Sequence, residues 1–310
     1  MAYVDTISYS LDMLNCIFVN NSASLDGGVF FMAMSVGVTG SAAFTNSSFV
    51  TNQASEYGGV LFVLSSAPLI SQDALLLNVS RCQFESNSAT MSGSALYLSD
   101  GVGITVEDTT FSNNLGVCIY GSGSTLRLAM KRSSATNNRA VGFAGGVVSL
   151  AAFKSVVIEN VIFRSNSAYL GGAVWLSTVN GEGEFIDISK STTFIDNSAA
   201  EGGAMIIEGW GIKGLVSIVD AVFEHNVASV VAQGDSGRGG ALILDHVQTA
   251  NISHCRFNHN FGSLGSAIYS SSSLATTYIT GTHLREAWKA CDGSLRQTTL
   301  NVCIHPLIHC

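Results

Sequence analysis

The chain has 310 residues, of which 47% are apolar and only 12% are charged, and its formal net charge is −8. This acidic balance, without a basic run, argues against nucleic acid or an acidic membrane surface as the partner. No uninterrupted apolar run reaches the length of about eighteen residues that a membrane-spanning helix needs, so no transmembrane segment is predicted.

A short motif recurs along the chain at intervals of about thirty residues, a period typical of solenoids. In most copies a small or apolar residue precedes Phe by two positions, Asn follows the Phe by three, and a Gly-Gly or Gly-Ser pair comes next. One copy is degenerate and has Ala135 and Asn138 in these places. In chain order the other pairs are Phe18/Asn21, Phe49/Asn52, Phe84/Asn87, Phe111/Asn114, Phe163/Asn166, Phe194/Asn197, Phe223/Asn226 and Phe257/Asn260.

The residues around each Phe alternate with a period of two, which predicts a short strand whose Phe points inward. Stacked coils then place the phenylalanines in a column with offset-stacked rings. The Asn falls where the strand must turn, since Asn tolerates left-handed backbone geometry, and one Asn per coil can form a ladder of amide hydrogen bonds. The glycine pair permits close approach of the chain and unusual backbone angles.

Further apolar segments complete each coil, for example residues 173–176 after one glycine pair and residues 184–188 before the next Phe. Three short strands and three turns fit into about thirty residues. A leucine-rich repeat has a shorter period and a Leu/Asn signature that is absent here. The sequence therefore predicts an all-β fold, a single-stranded right-handed parallel β-helix of about nine coils over residues 1–280, continuing into missing sequence before its open N-terminal end.

Residues 281–310 form a predicted C-terminal tail. Leu284, Ala287, Trp288 and Cys291 fall on one face of a possible helix over residues 283–291, which would cover the last coil. A disordered tail is the alternative. Cys291, Cys303 and Cys310 allow one disulfide within this tail.

The other cysteines and the asparagines bear on the compartment. Cys16, Cys82 and Cys255 share the position two before Phe, on coils that are not adjacent, so we expect buried unpaired thiols. The N-terminal residues do not resemble a signal peptide. Strand-rich repeats with Ser, Thr and Asn on the outside nevertheless favour an extracellular or cell-surface protein, and we interpret the chain as a fragment of a longer exported one. Four N-x-S sequons begin at Asn20, Asn46, Asn78 and Asn251.

The F-x-x-N motif followed by G-G-A and an aliphatic residue resembles the chlamydial polymorphic outer-membrane protein repeat, within the pectate-lyase-like superfamily. Gly172-Ala173-Val174 after Phe163/Asn166 matches that pattern well, and the resemblance covers about residues 11 to 270. The repeats are also similar to those in large surface proteins of algae and other protists. The resemblance implies a passenger domain displayed at the cell surface, with a role in adhesion.

Candidate binding residues concentrate on two neighbouring coils. We expect His225 to lie beside His259 and Asp220 beside His254, on a surface that could bind a metal ion or a sugar acid. The alternative is a solvated face without a specific ligand. A predicted loop over residues 233–238, which includes Asp235 and Arg238, should project next to this surface. The polar patch comprises Asp220, Glu224, His225, His254, Arg256 and His259.

Aromatic residues give a second set of candidates. Tyr97, Trp175 and Trp210 could stack on sugars, although Tyr97 and Trp175 follow glycine pairs within strands and could simply pack. The sequence contains no Asp-Asp pair, no Asn-Thr-Asp and no Gly-His-Gly of the polygalacturonase kind. We therefore expect a non-enzymatic surface or secreted protein that acts in adhesion, matrix or recognition, with a glycan or cell-surface protein as partner and with no cofactor or metal. A polysaccharide lyase or glycoside hydrolase is the alternative.

Overall fold

A computed structural model describes residues 8–34, 39–65, 75–179, 185–210, 215–229, 236–271, 276–285 and 302–304. All the regular elements in these ranges are strands, and each strand pairs in parallel with its counterpart in the next coil. The chain passes ten times through each of three sheets, in keeping with the prediction of about nine coils. The predicted all-β parallel solenoid is confirmed. No helix in these ranges is long and apolar enough to cross a membrane.

Seven coils visit four sheets in the described ranges, rather than the three predicted from the sequence. Sheet one contains Ser8–Leu14, Thr39–Thr45, Leu75–Ser80, Val102–Glu107, Arg127–Lys131, Ser155–Glu159, Phe185–Ser189, Leu215–Val219, Thr249–Ser253 and Thr276–Thr280. Sheet two contains Ile17–Val19, Ser48–Val50, Gln83–Glu85, Thr110–Ser112, Ser134–Thr136, Ile162–Arg164, Thr193–Ile195, Val222–Glu224, Arg256–Asn258 and His283–Arg285.

The other two sheets follow the Asn and the glycine pair. Sheet three is short and falls into two parts, Ser22–Ala23, Gln53–Ala54 and Ser88–Ala89, then Arg139–Ala144, Ser167–Leu170, Ser198–Ala199 and Val227–Ala228. Sheet four contains Phe30–Met34, Leu61–Ser65, Leu96–Leu98, Ile119–Ser122, Val148–Ala151, Val174–Val179, Met205–Trp210, Leu242–Asp245, Ile268–Ser270 and Val302–Ile304. The short third sheet escapes sequence analysis because its strands are too brief to show a period.

The phenylalanines of sheet two form the predicted inward column. Neighbouring rings lie 4.6–5.2 Å apart between centroids and are within 11° of parallel. From Phe49 onward these rings are almost completely buried, whereas Phe18 on the first coil is only partly buried. Ala135 pairs in register with Phe111 and Phe163, so the degenerate copy interrupts the stack by one ring.

The asparagines form the predicted ladder. The Oδ1 of Asn166 accepts hydrogen bonds from the backbone N–H and the side-chain amide of Asn138, at 3.0 and 2.9 Å. The Nδ2 of Asn166 donates to Oδ1 of Asn197 and to the carbonyl oxygen of Ala135, both at 3.0 Å. The same pattern joins successive coils, so these buried amides are satisfied by one another and by the backbone.

The two end members of the ladder, Asn21 and Asn260, differ from the expectation of one equivalent asparagine in every coil. Asn21 is exposed, because no earlier coil in the described ranges covers it, and it serves as a donor: its backbone N–H and its Nδ2 lie 3.1 and 2.8 Å from Oδ1 of Asn52. Asn260 is buried and accepts two hydrogen bonds from Asn226, both at 2.9 Å. Its Nδ2 donates to the carbonyl oxygen of Phe223 at 2.9 Å, and the described part of the ladder ends there.

The left-handed corner lies one residue before the predicted position. His225, directly before Asn226, has φ 53°, and the equivalent residues of the other coils have similar values. A second corner with positive φ precedes the Phe strand, at Asp220 in the same coil. The ladder Asn therefore serves through its amide, and the preceding residue makes the turn.

The glycine pair brings successive coils into close contact, as the sequence predicts. Gly171 has φ 57°, which favours glycine. A Cβ on Gly172 would overlap the carbonyl oxygen of Gly203 and lie 2.8 Å from the backbone N and O of Ser198. The second glycine is thus required for space rather than for its backbone angles.

Within the described ranges, four cysteines have free thiols. Cys82 and Cys255 are buried, as predicted, while Cys16 is only half-buried. Cys118, which the repeat does not mark, is also buried, and burial raises the pKa of its thiol to about 12. The Sγ of Cys82 donates to the carbonyl oxygen of Phe44 at 3.2 Å, which fits a small inward residue rather than a reactive one.

The predicted capping helix is wrong at its beginning. His283–Arg285 is a strand, and it pairs with Arg256–Asn258 so that Leu284 lies in register with Phe257. Sheet pairing favours extended structure because Leu284 can take the inward Phe position of one more coil. Strand pairing thus continues past the predicted boundary between residues 280 and 281. Ala287, Trp288, Cys291 and Cys310 lie outside the described residues.

Candidate functional site

The polar patch gathers at the outer face and corners of sheet two, as predicted. Asp220 and His254 occupy the left-handed corner before the Phe strand, and His225 and His259 occupy the corner after it. The His225 and His259 rings lie 5.2 Å apart between centroids, which confirms that they are neighbours. Corner geometry offers a structural reason for these residue types, because Asn, Asp and His are enriched among non-glycine residues with positive φ.

Contacts along the solenoid axis engage three members of the polar patch. Arg256 reaches back one coil, and its Nη2 lies 2.7 Å from Oε1 of Glu224. Nδ1 of His225 lies 3.7 Å from Oδ1 of Asp196, a residue that sequence analysis did not select. Asp196 precedes the ladder Asn197 in the same way that His225 precedes Asn226, and this equivalence is the signal that identifies it.

Arg238 belongs to a separate cluster. Its Nη2 lies 2.6 Å from Oε2 of Glu201, its Nε donates to Oε1 of Glu201 at 3.2 Å, and its guanidinium lies 5.2 Å from the ring centroid of Tyr269. Ser236 also donates a hydrogen bond to Glu201. The end of the predicted loop therefore folds back onto the solenoid instead of projecting, whereas Asp235 lies outside the described residues.

Burial alone would raise the pKa of Glu201, but the hydrogen bonds from Arg238 and Ser236 outweigh it and hold the pKa below its ordinary value. The same ion pair holds the pKa of Arg238 above its ordinary value, against the effect of burial. This is a partly buried, charge-assisted bidentate pair, whose geometry is specific. It fastens the residues that follow the insertion to the coil before it.

Two further carboxylates lie side by side on the outer face of sheet four. Glu208 and Asp245 are register partners in successive coils, and the residues before them, Ile207 and Leu244, are buried in the core. Ser271 donates to Oδ1 of Asp245, and Nδ1 of His246 lies 2.9 Å from the same oxygen. Burial raises the pKa of Glu208, and the negative charge of Asp245 adds to this effect. Sequence analysis missed the pair because only the coil register brings these residues together.

The aromatic candidates pack against the solenoid. Tyr97 stacks between Phe62 and Tyr120, with centroids 4.8 and 5.1 Å away and interplanar angles of 19° and 21°. Both faces of its ring are therefore covered, and the ring of Tyr57 lies a further 4.8 Å away at an interplanar angle of 57°. Trp175 packs against a small outer cluster that contains Ile206. The side chain of Trp210 lies outside the described residues.

Among the described residues, no group of three or more His, Cys, Asp or Glu side chains is arranged to hold a metal ion. Neither a known protein family, nor a curated protein, nor a solved structure matches this chain. The parallel solenoid itself is the feature that the chain has in common with pectate-lyase-like proteins.

Proposed function

We propose that this protein is a non-enzymatic solenoid, displayed at a cell surface or secreted, that recognises a glycan or a protein on another surface. The observation that carries the proposal is the pairing of ionisable side chains along the outside of sheet two. Glu224 is paired with Arg256, and Asp196 with His225, each across one coil. Such pairs fix the positions of polar groups on a rigid frame, which favours recognition, and they occupy the groups that acid–base catalysis needs free.

The resemblance to surface-protein repeats supports the same function. The F-x-x-N and G-G-A motifs, whose residues build the ladder and the close coil contact here, resemble those of the chlamydial polymorphic outer-membrane protein repeat. We place the chain with that repeat family and assign it an adhesive role outside the cell. Its ligand face is the polar patch, since rigid solenoids bind partners through exposed side chains on adjacent coils.

Binding to immobilised glycans and to intact cells tests this function. We expect the full chain to bind saturably, and Arg256→Ala to lower the affinity about tenfold, the effect of losing one charge-assisted contact. Arg164→Ala is the control, because Arg164 is also an exposed arginine on a strand of sheet two, three coils away from Arg256 and outside the polar patch. Equal loss in both variants, or no binding to any glycan or cell, would contradict the proposal.

A carbohydrate-active enzyme is the second candidate, and the Glu208–Asp245 pair favours it. Two adjacent carboxylates with different surroundings can divide the roles of general acid and base. Incubation with pectin, alginate and other uronans, followed by chromatography of the products, separates the two candidates. Chain cleavage that is lost in Glu208→Gln or Asp245→Asn supports the enzyme at sheet four, and cleavage lost in His225→Ala or His259→Ala places it at the polar patch.

A further inference from the structure

In two of the four sequons the asparagine belongs neither to the ladder nor to a left-handed corner. Asn78 lies within the sheet-one strand Leu75–Ser80 and Asn251 within the strand Thr249–Ser253. Asn is depleted in strands because its short polar side chain competes for backbone hydrogen bonds. Neither side chain makes a hydrogen bond in the described part of the chain, in contrast to the ladder asparagines.

The other two sequons have a structural explanation. Asn20 and Asn46 occupy left-handed corners, with φ 56° and 47°, and such corners favour Asn. The Nδ2 of Asn46 also donates to Oδ1 of Asn15 at 2.6 Å, so this amide is already engaged. Their N-x-S pattern follows from corner chemistry together with the Ser-rich repeat.

The outer face of sheet one has room at both strand positions. Each of the two asparagines lies between residues that point inward. For Asn78 these are Leu77 and Val79, which are both buried. Asn78 itself is exposed, and its register partners are Ala43 and Thr105, whose side chains are small. A bulky group at Asn78 would therefore extend into solvent without displacing a neighbour.

Asn251 has a different neighbourhood on the same column. It is half-buried, and its register partners are Ser217 and Tyr278. The Tyr278 side chain is 57% exposed, so its ring offers an apolar surface beside the asparagine amide. A saccharide attached at Asn251 could pack on this ring, which would cover an otherwise exposed aromatic side chain.

We propose that Asn78 and Asn251 are N-glycosylation sites, which makes the outer face of sheet one a glycan-covered side of the solenoid. The inference rests on the extracellular location in the proposed function. The asparagine Nδ2 forms a bond to C1 of an oligosaccharide carried on a lipid diphosphate. The bond from C1 to the diphosphate oxygen breaks with its electron pair, the lipid diphosphate leaves, and the amide gives up one proton.

Translation of the full chain behind a cleavable secretion signal, in the presence of microsomes, tests the sites. Translocated chains are selected by protection from added protease, treated with an N-glycan amidase that converts modified Asn to Asp, and mapped by peptide mass. We expect conversion at both positions. Ser80→Ala and Ser253→Ala should each abolish conversion at one site while keeping its asparagine, and Ser80→Thr and Ser253→Thr should retain it.

The folded protein supplies the second readout. We expect chains purified from a glycosylating host to melt at the same temperature with and without the glycans, because both attachment points face outward. Translocated chains with unmodified Asn78 and Asn251 would overturn the proposal, and so would a glycan at Asn78 that prevents folding. If the chain carries both glycans but binds no glycan ligand and no cell, the proposed function is rejected and the two glycosylation sites still stand.

Discussion

The ladder asparagines are the residues on which the stacking of coils most directly depends. Between the end members Asn21 and Asn260, each buried amide accepts from the coil before it and donates both to the coil after it and to the backbone. An aspartate could not supply these donors, and an apolar residue could supply neither donor nor acceptor. This explains why the same residue type returns at the same place in coils whose other residues vary.

Asn166→Ala should lower the free energy of unfolding by about 2–5 kcal/mol, because the backbone N–H and one amide proton of Asn138 lose their acceptor in a buried site. Urea denaturation followed by circular dichroism measures the change. Asn78→Ala is the matched control, with an expected change below about 0.5 kcal/mol. Similar losses in both variants would show that the ladder does not stabilise the fold.

Phe163→Ala removes one ring from the inward column and should cost about 3–5 kcal/mol, as for other buried aromatic side chains. Its neighbour Arg164 points outward and is exposed, so Arg164→Ala should change stability by less than about 0.5 kcal/mol. The same denaturation experiment compares the two. Equal effects would contradict the inward and outward assignment.

Glu208 and Glu201 should respond oppositely to pH. The folded-state pKa of Glu208 is raised, so its stabilising contribution is present below the unfolded pKa of about 4.5 and is lost as pH rises through the folded value. Glu208→Gln should therefore raise the melting temperature relative to the parent at about pH 7, and the difference should vanish near pH 4.

The pKa of Glu201 is lowered in the folded state, so its contribution is present above the unfolded value and is lost as pH falls. Glu201→Gln should consequently lower the melting temperature at about pH 7, with a smaller effect in acid. Calorimetry of both variants over this pH range provides the measurement. The same sign for the two variants would be inconsistent with the charge environments described above.

At the scale of the element, the glycine pair sets how closely one coil approaches the next. A methyl group on Gly172 would collide with the backbone of the following coil, which cannot move aside easily. Gly142 has φ 76° but open space around the position of its Cβ, so a methyl group there meets only backbone strain.

Gly172→Ala should therefore destabilise the protein more than Gly142→Ala, for which backbone strain of about 1–2 kcal/mol is expected. Thermal unfolding of the two variants makes the comparison. A larger loss in Gly142→Ala would mean that backbone angle, rather than space, governs the glycine positions.

The sequence predicts the elements that carry a recurring motif, and it misses the short third sheet and the contacts that depend on register. Phe and Asn recur in fixed phase, so their columns and the solenoid follow from the spacing alone. Leu284 illustrates the limit, because its helical pattern is local while its strand conformation depends on pairing with Phe257. The Glu208–Asp245 pair could not be predicted either, because the sequence does not show which residues share a register when the coils differ in length.

On the scale of the whole molecule, Val302–Ile304 returns to sheet four and pairs with Ile268–Ser270. This strand covers an edge whose free backbone groups would otherwise be open to pairing with another chain. Truncation after residue 301 should therefore promote aggregation and lower the melting temperature compared with truncation after residue 304. Light scattering and thermal unfolding of the two shortened chains isolate the contribution of this strand, which is absent if both behave alike.

The spacing between successive ladder asparagines is uneven, from 24 residues between Asn114 and Asn138 to 35 between Asn52 and Asn87. Much of the difference falls between sheets four and one, where residues 66–74 connect two strands in one coil and residues 99–101 do so in another. Length can therefore change at that connection without shifting the register of the four sheets. Such a chain can acquire new surface segments one coil at a time. Related solenoids can therefore differ in what they recognise while the residues that specify the fold stay the same.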